Sequence, residues 1–287
     1  MKILVTGATG FIGNNVIFEL LKNKYDIIAT GIEPKKKINK EWLGNVTYIQ
    51  ADLNNRKSNW FTFFGKPDMI IHLSWEGLPN YNQLFHYEKN LPKNYKFLKN
   101  LIEKGCKRVV VIGTCFEYGM QSGLLKENLE TKPANPYALA KDTLRKYLES
   151  LQLQLDFNLK WIRLFYMYGK GQGKNSILSQ LEETLEKGDP YFNMSGGEQL
   201  RDYLPVETVA EYIISISLNN NFSGIVNCCS GTPISSRRLV ENYLKENNKS
   251  IELNLGYYPY SEYEPMAFWG DNHKLMNILD CKLKNNQ

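Results

Sequence analysis

Short apolar runs alternate with longer stretches of helical periodicity through the first two thirds of the chain. The apolar runs predict strands at 2–6, 26–30, 46–50, 68–73, 107–113 and 159–165. Between them, apolar positions recur at helical spacing near 11–23, 88–104 and 134–152. That alternation predicts an α/β architecture, a doubly wound parallel sheet with helices on both faces. A further helix is expected near 206–218 and a short strand at 225–229. Two segments break the pattern. Residues 166–204 are punctuated by Gly169, Gly171, Gly173, Gly188, Gly196 and Gly197, and the tail 231–287 is rich in Tyr, Asn and Pro. We therefore expect a larger lobe from 1–165 plus 205–230 and a smaller C-terminal substrate lobe from 166–204 plus 231–287.

The first strand runs straight into Gly7-Ala8-Thr9-Gly10-Phe11-Ile12-Gly13. Glycines spaced in this way, between a strand and an amphipathic helix, make a phosphate site from backbone alone. Gly7 permits the tight turn, Gly10 lets the chain approach a pyrophosphate, and Gly13 lets helix and strand pack closely. The helix N-terminus then turns free N–H groups toward the anion. The expectation is a Rossmann-like lobe that binds a dinucleotide.

In such sheets the ligand lies at the carboxyl ends of the strands. After the second strand come Gly31-Ile32-Glu33-Pro34-Lys35-Lys36-Lys37. The acid that reads the ribose hydroxyls of NAD would stand at Gly31, and Lys35 follows nearby. This pattern favours NADP(H) over NAD, with Glu33 in the acid's role as the alternative. Asp52 follows the third strand, where it can accept from an adenine amino group.

Composition narrows the class. A chain of 287 residues with 43% hydrophobic and 23% charged residues is that of a globular protein. The net charge of +5 is scattered, and it gives no basic stripe for nucleic acid. No apolar run is long enough to span a membrane, and the glycine motif starts too early for a signal peptide, so we expect a cytoplasmic location. Cys106, Cys115, Cys228, Cys229 and Cys281 show no paired spacing and read as reduced thiols. His72, His86 and His273 are too isolated in sequence to suggest a metal site.

Tyr137-Ala138-Leu139-Ala140-Lys141 follows a proline-containing loop at a predicted helix start. A spacing of four puts tyrosine and lysine on one face. A cation one turn away stabilises phenolate and makes the tyrosine a competent proton donor or acceptor. Alone, this pattern is as compatible with an exposed helix face. It is joined here by Thr114 at the end of the fifth strand.

Together, the glycine loop, Asp52, His72-Leu73-Ser74, Asn90, Thr114 with Tyr118-Gly119, Tyr137 with Lys141, Arg163 with Tyr168-Gly169, and Arg201-Asp202-Tyr203 resemble the extended short-chain dehydrogenase/reductase family. The resemblance spans nearly the whole chain and lies within the nucleotide-sugar epimerase, dehydratase and reductase branch. It implies that Tyr137 exchanges the proton on the sugar oxygen and Lys141 holds the ribose. It further implies that Thr114 shares the sugar oxygen and Arg201 contacts the substrate diphosphate. For Arg201 the alternative is an ion pair to Asp202 or Glu207. Cofactor contacts are implied at Gly7, Thr9, Gly10, Phe11, Ile12, Gly13, Lys35, Asp52, Leu53, Leu73, Ser74, Tyr137 and Lys141. A homodimer through helices 88–104 and 134–152 is implied as well, with Asn90 supporting the active-site helix.

Sugar 4,6-dehydratases carry an Asp-Glu pair directly after the active-site Thr. Here those positions are Cys115 and Phe116, which supply neither acid nor base, so elimination of water is not expected. Glu117, one residue on, is expected to point away and to be satisfied by backbone or a lysine. What remains is hydride chemistry at a sugar ketone. The segments around Trp75, Cys115 and Arg201 are similar to those of dTDP-4-dehydro-6-deoxyglucose reductases of the dTDP-fucose-forming kind. That similarity implies NADPH-dependent reduction of a nucleotide-linked 4-keto-6-deoxyhexose for a bacterial surface polysaccharide. C4 epimerisation with tightly bound NAD is the alternative. Trp75, Leu78, Cys115, Phe116 and Phe165 are candidates to line the sugar, and the aromatic ones are equally compatible with a core role.

Overall fold

The computed structural model describes the chain except Asn39, Arg56, Ser261, Tyr263, Asn286 and Gln287, and except the side chains of residues 281–285, Cys281 among them. In chain order, β1 (Lys2–Thr6), α1 (Phe11–Leu21), β2 (Asp26–Gly31), β3 (Thr47–Gln50), α2 (Trp60–Phe63), β4 (Met69–His72), α3 (Leu91–Glu103), β5 (Arg108–Thr114), β6 (Gly123–Leu125), α4 (Pro136–Gln152) and β7 (Asn158–Leu164) form the first part. They are followed by β8 (Tyr166–Tyr168), α5 (Ile177–Lys187), β9 (Tyr191–Asn193), β10 (Leu200–Pro205), α6 (Val206–Leu218), β11 (Gly224–Cys228), β12 (Pro233–Ser235), α7 (Ser236–Glu246), β13 (Glu252–Asn254), β14 (Phe268–Gly270) and α8 (His273–Asn285).

Seven strands make one parallel sheet in the order β11-β7-β5-β4-β1-β2-β3. Its central strands are buried on both faces, which is why they read as continuous apolar runs rather than as alternation. Val16 and Ile17 of α1, Val209 and Ile213 of α6, and Leu275 and Ile278 of α8 cover one face. Phe97 and Leu101 of α3, with Leu144 and Leu148 of α4, cover the other. The strand order reverses between β1 and β4, the switch point where such sheets hold ligands.

The second assembly grows from the carboxyl ends of β5, β7 and β11. β8 pairs with β10 and β10 with β12, β9 pairs with β13, and β6 pairs with β14. Leu178, Leu181, Phe192, Met194, Leu239 and Val240 give it a core of its own. The lobe boundary differs from the expectation in two places. The last helix, α8, packs Leu275 and Ile278 into the core of the main sheet, so the tail 231–287 does not stay in the small lobe. Conversely, β6 leaves the first lobe to pair with β14 of the tail.

The main helices begin where local chemistry allows. Asn135 caps α4 by accepting from Ala138 N at 2.9 Å, with Pro136 in the first turn where its missing N–H costs nothing. Among the described residues, no helix is long and apolar enough to cross a membrane.

Candidate active site

Gly7 adopts φ +68°, and a Cβ there would press on the backbone N of Ser74 at 3.0 Å. A Cβ on Gly13 would collide with the Gly7 carbonyl oxygen, so only glycine lets α1 cross β1 this closely. Gly10 precedes α1 without a side-chain cap, which leaves the N–H groups of the first turn, including those of Phe11 and Ile12, for an anion. This cradle fits the pyrophosphate of a dinucleotide. Leu73 packs beneath it, and Ser74 N donates to Thr6 Oγ1 at 3.3 Å. Thr6 Oγ1 and Asn94 Oδ1 also bracket His72, at 2.8 and 2.9 Å. Burial holds that imidazole down at about 3, so it is a neutral tie between β1, β4 and α3.

The acid-free end of β2 expected from the sequence is not what the fold presents. Glu33 turns back, and its carboxylate accepts from Thr9 Oγ1 at 3.0 Å. A Cβ on Gly31 would lie 3.1 Å from Glu33 Oε2, so the carboxylate stands beside the strand end. Tyr48 OH fixes the turn by donating to the Glu33 carbonyl at 2.7 Å. Lys35 sits exposed on a one-turn helix, Lys35–Lys37. Asp52 closes its own turn by accepting from the backbone and side-chain nitrogens of Asn54, and Leu53 packs toward the α3 side of the sheet.

Thr114, Tyr137 and Lys141 do come together. Thr114 ends β5, and its hydroxyl accepts from Phe116 N at 3.3 Å. Tyr137 opens α4 beneath the rings of Trp75, Tyr81 and His86, with centroids 6.0, 5.5 and 5.3 Å away. Lys141 Nζ donates to the Ile112 carbonyl at 2.6 Å and lies 4.3 Å from the centre of the Trp75 ring. Burial dominates the electrostatics. It raises Tyr137 well above the usual phenol range, with the charges of Tyr81 and Glu117 adding to the rise and a hydrogen bond from Thr114 opposing it. Burial also lowers Lys141 to about 7, with Glu117 pulling the other way. The expected lowering of Tyr137 by its lysine neighbour is therefore outweighed by desolvation in the folded chain.

Trp75 Nε1 donates to His86 Nδ1 at 3.0 Å, and His86 Nε2 faces the Asn80 carbonyl at 3.0 Å. Trp75 is thus held edge-on to Tyr137 as part of its packing. Asn90 Nδ2 donates to the Glu76 carbonyl at 2.9 Å, at the end of the π-helical turn His86–Asn90. Cys115 and Phe116 line a narrow cleft with Gly119, Asn135, Glu264 and Phe268. Burial pushes the Cys115 thiol far up, so it carries no charge there. Leu78 is exposed, while Phe165 is buried against Tyr118 and Phe268 and belongs to the core rather than to a sugar-facing wall.

Arg201 is held in an ion pair, with a partner other than the two the sequence offered. Its Nε and one terminal nitrogen donate to Glu264 Oε2 at 3.1 and 2.8 Å, and the other terminal nitrogen donates to the Leu200 carbonyl at 2.8 Å. The guanidinium lies 4.5 Å from the Phe268 ring centre. Its carboxylate partner is therefore Glu264, and neither Asp202 nor Glu207. Asp202 accepts from Ser230 N, Gly231 N and Gly270 N instead, which clamps β10 to the chain after β11.

Residues 3–229 match the NAD dependent epimerase/dehydratase family. The chain belongs to that family. Among its relatives is a dTDP-6-deoxy-L-talose 4-dehydrogenase (NAD(+)) from Aggregatibacter actinomycetemcomitans, 31% identical over 94% of this chain and 99% of the relative. A dTDP-4-dehydro-6-deoxyglucose reductase from Escherichia coli is 23% identical over 87% of this chain and 83% of its own. The fold is that of MoeE5, solved in complex with UDP-glucuronic acid and NAD. The TM-score is 0.82 at 22% identity, covering 98% of this chain and 93% of that one. The chain is accordingly a nucleotide-sugar-modifying, pyridine-nucleotide-dependent oxidoreductase.

Within this family member, sequence reasoning missed Glu264 and understated Glu117. Glu264 lies in the tail, 63 residues from the arginine it pairs with, and no local pattern links them. Glu117 does point away from the cleft and accepts from a backbone N–H, that of Thr114, as expected, while its ionic partner is Arg163 and not a lysine.

Proposed function

We propose that the chain interconverts a hydroxyl and a ketone at C4 of a nucleotide-linked 6-deoxyhexose, with NAD(H) as the hydride partner. The observation that supports this reading is the meeting of Thr114, Tyr137 and Lys141 at the end of β5, beside Cys115 and Phe116 where elimination needs carboxylates. Gly7, Gly10 and the start of α1 would hold the pyrophosphate, and Glu33 the ribose hydroxyls. The sequence preference for NADP(H) weighs Gly31 and the nearby Lys35 against Glu33 in the acid's role. A carboxylate beside the strand end accepts from a 2′-hydroxyl and repels a 2′-phosphate, which supports the NAD(H) alternative.

A bound nicotinamide dinucleotide supplies or accepts the hydride at C4. In reduction, Tyr137 delivers its proton to the C4 oxygen, and Thr114 donates a hydrogen bond to the same oxygen. In oxidation the proton returns to Tyr137. Burial makes phenolate costly, so the positive end of Lys141 is needed most when Tyr137 has given up its proton. Arg201 would take the substrate diphosphate once Glu264 yields its place. A homodimer through α3 and α4 belongs to the same proposal, since Leu139 and Tyr147 stand exposed on α4.

Turnover of the purified chain with a panel of nucleotide-linked 4-keto-6-deoxyhexoses and either NADH or NADPH tests the reading. The panel includes dTDP-4-dehydro-6-deoxy-D-glucose, the substrate for dTDP-D-fucose, and the 4-ketone of dTDP-6-deoxy-L-talose. Stoichiometric oxidation of NADH with reduction at C4 is expected. A second reading, C4 epimerisation with retained NAD, is favoured by the same Glu33. Interconversion of intact nucleotide sugars without net cofactor consumption would establish it instead.

A further inference from the structure

Glu117 is fully buried although it touches neither the cleft nor solvent. Its Oε1 accepts from the backbone N of Thr114 at 3.0 Å and from Trp161 Nε1 at 2.9 Å. Its Oε2 accepts from Arg163 Nε at 2.7 Å and lies 3.8 Å from Arg145 Nε. Room for the carboxylate comes from Gly113, where a Cβ would stand 2.5 Å from Glu117 Oε1. A carboxylate taken fully out of water is costly unless its lone pairs are met, and here both oxygens are met. Two partners come from β7, so the carboxylate is anchored to a central strand and holds Thr114 against it.

The consequence falls on the Thr114 hydroxyl. Phe116 N donates to Thr114 Oγ1 at 3.3 Å, so that oxygen already accepts a bond from the turn. Its proton then points away from the turn, toward Tyr137, with which it shares a hydrogen bond, and toward the space for the sugar oxygen. The Phe116 N–H bond selects the Thr114 side-chain rotamer, so holding the Thr114 backbone in register also places the hydroxyl. We propose that Glu117 is a positioning residue for the C4 chemistry, holding the Thr114 N–H at the end of β5 so that the Thr114 hydroxyl is presented as a donor to the sugar oxygen. The inference rests on the C4 reading above and adds to it a residue that never meets the substrate.

The test compares Glu117→Gln in the full chain with the same substitution in a Thr114→Ala background. Misplacing a catalytic group by a fraction of an ångström to an ångström costs about 10- to 100-fold, so kcat of Glu117→Gln is expected to fall by that factor. KM for the nucleotide sugar and the cofactor dissociation constant stay within about twofold, because neither ligand touches Glu117. In the Thr114→Ala background the same substitution should change kcat by less than about twofold, the mark of two residues acting through one group. An equal loss in both backgrounds overturns the proposal and leaves Glu117 as a fold stabiliser. Should Glu117→Gln be unstable for want of a partner to Arg163, Glu117→Gln/Arg163→Met removes both charges and carries the same comparison. Amide exchange at Thr114 separates this proposal from the functional reading. Absence of turnover by the parent chain would overturn the C4 reading. Parent-like Thr114 protection in the Gln variant would overturn the Glu117 assignment whatever reaction runs.

Discussion

Glu33 and Thr9 are joined by a 3.0 Å hydrogen bond that ties the end of β2 to the glycine loop. The bond holds a carboxylate beside Gly31, where a ribose would present its hydroxyls. Hydrogen bonds to a charged partner are worth about 1.5–3 kcal/mol, or roughly one to two powers of ten in affinity. Glu33→Ala is therefore expected to weaken NAD(H) binding by about tenfold or more and to narrow the gap to NADP(H), with Lys35 close enough in sequence to help. Titration of both cofactors by calorimetry checks this. Unchanged NAD(H) affinity in the variant would return Glu33 to a purely structural tie and reopen the NADP(H) preference.

Tyr137 shares a side-chain hydrogen bond with Thr114, and burial holds its proton strongly. Removing the hydroxyl leaves the ring packing against Trp75 and His86 intact. General acid–base groups contribute about 10²- to 10⁴-fold, so Tyr137→Phe should reduce kcat by at least about 100-fold while cofactor affinity persists. Steady-state turnover alongside a cofactor titration gives both numbers. Parent-like turnover would move the proton-transfer role to another group.

Most of the sheet was legible in the chain because both faces of its central strands are buried, and continuous apolar runs such as 108–114 leave little choice of role. The glycine loop was legible for a different reason, since a backbone turn constrains residue type residue by residue. The small lobe was not. Apart from β10, its strands are three-residue pieces such as β9 and β13, whose pairing is set by tertiary contact and leaves no periodicity to read. The return of α8 to the main sheet was hidden in the same way, because an amphipathic helix shows that it has a partner and not which one. Within the candidate site, Tyr137 and Lys141 were visible as spacing and Thr114 as a strand end, while Glu33 needed the path of a turn and Glu264 a contact spanning 63 residues.

Arg201 and Glu264 form a largely buried pair in the place expected to receive a diphosphate. Removing one partner of a buried pair leaves an uncompensated charge and costs about 3–5 kcal/mol, less where one side is partly exposed as here. Glu264→Gln is therefore expected to lower the melting temperature of the free chain. If Arg201 is the diphosphate contact, dTDP should stabilise the variant by more degrees than it stabilises the parent, because the guanidinium then gains a partner it lacks. KM for the nucleotide sugar should fall in parallel. Equal dTDP shifts in parent and variant would show that Arg201 serves only to fasten β10 to the tail.

Lys141 gives a pH signature with a definite sign. Burial lowers it from 10.5 to about 7 in the folded chain. Between those values the unfolded chain binds a proton on this lysine that the folded chain does not. Stability from this group therefore rises with pH from about 7 toward 10.5 and is at its lowest, and flat, below 7. Lys160, also lowered to about 7, acts in the same direction, and the buried cysteines oppose it at higher pH, but both are common to parent and variant. The titratable groups that interact with Lys141 are Glu117, His72 and His86, and among them Glu117 resists the shift. Lys141→Met should thus gain less stability than the parent between pH 7 and 9, measured as the difference in melting temperature across a buffer series. Parallel curves for the two proteins would show that the ammonium, held by the Ile112 carbonyl and the Trp75 ring, keeps its proton throughout that range.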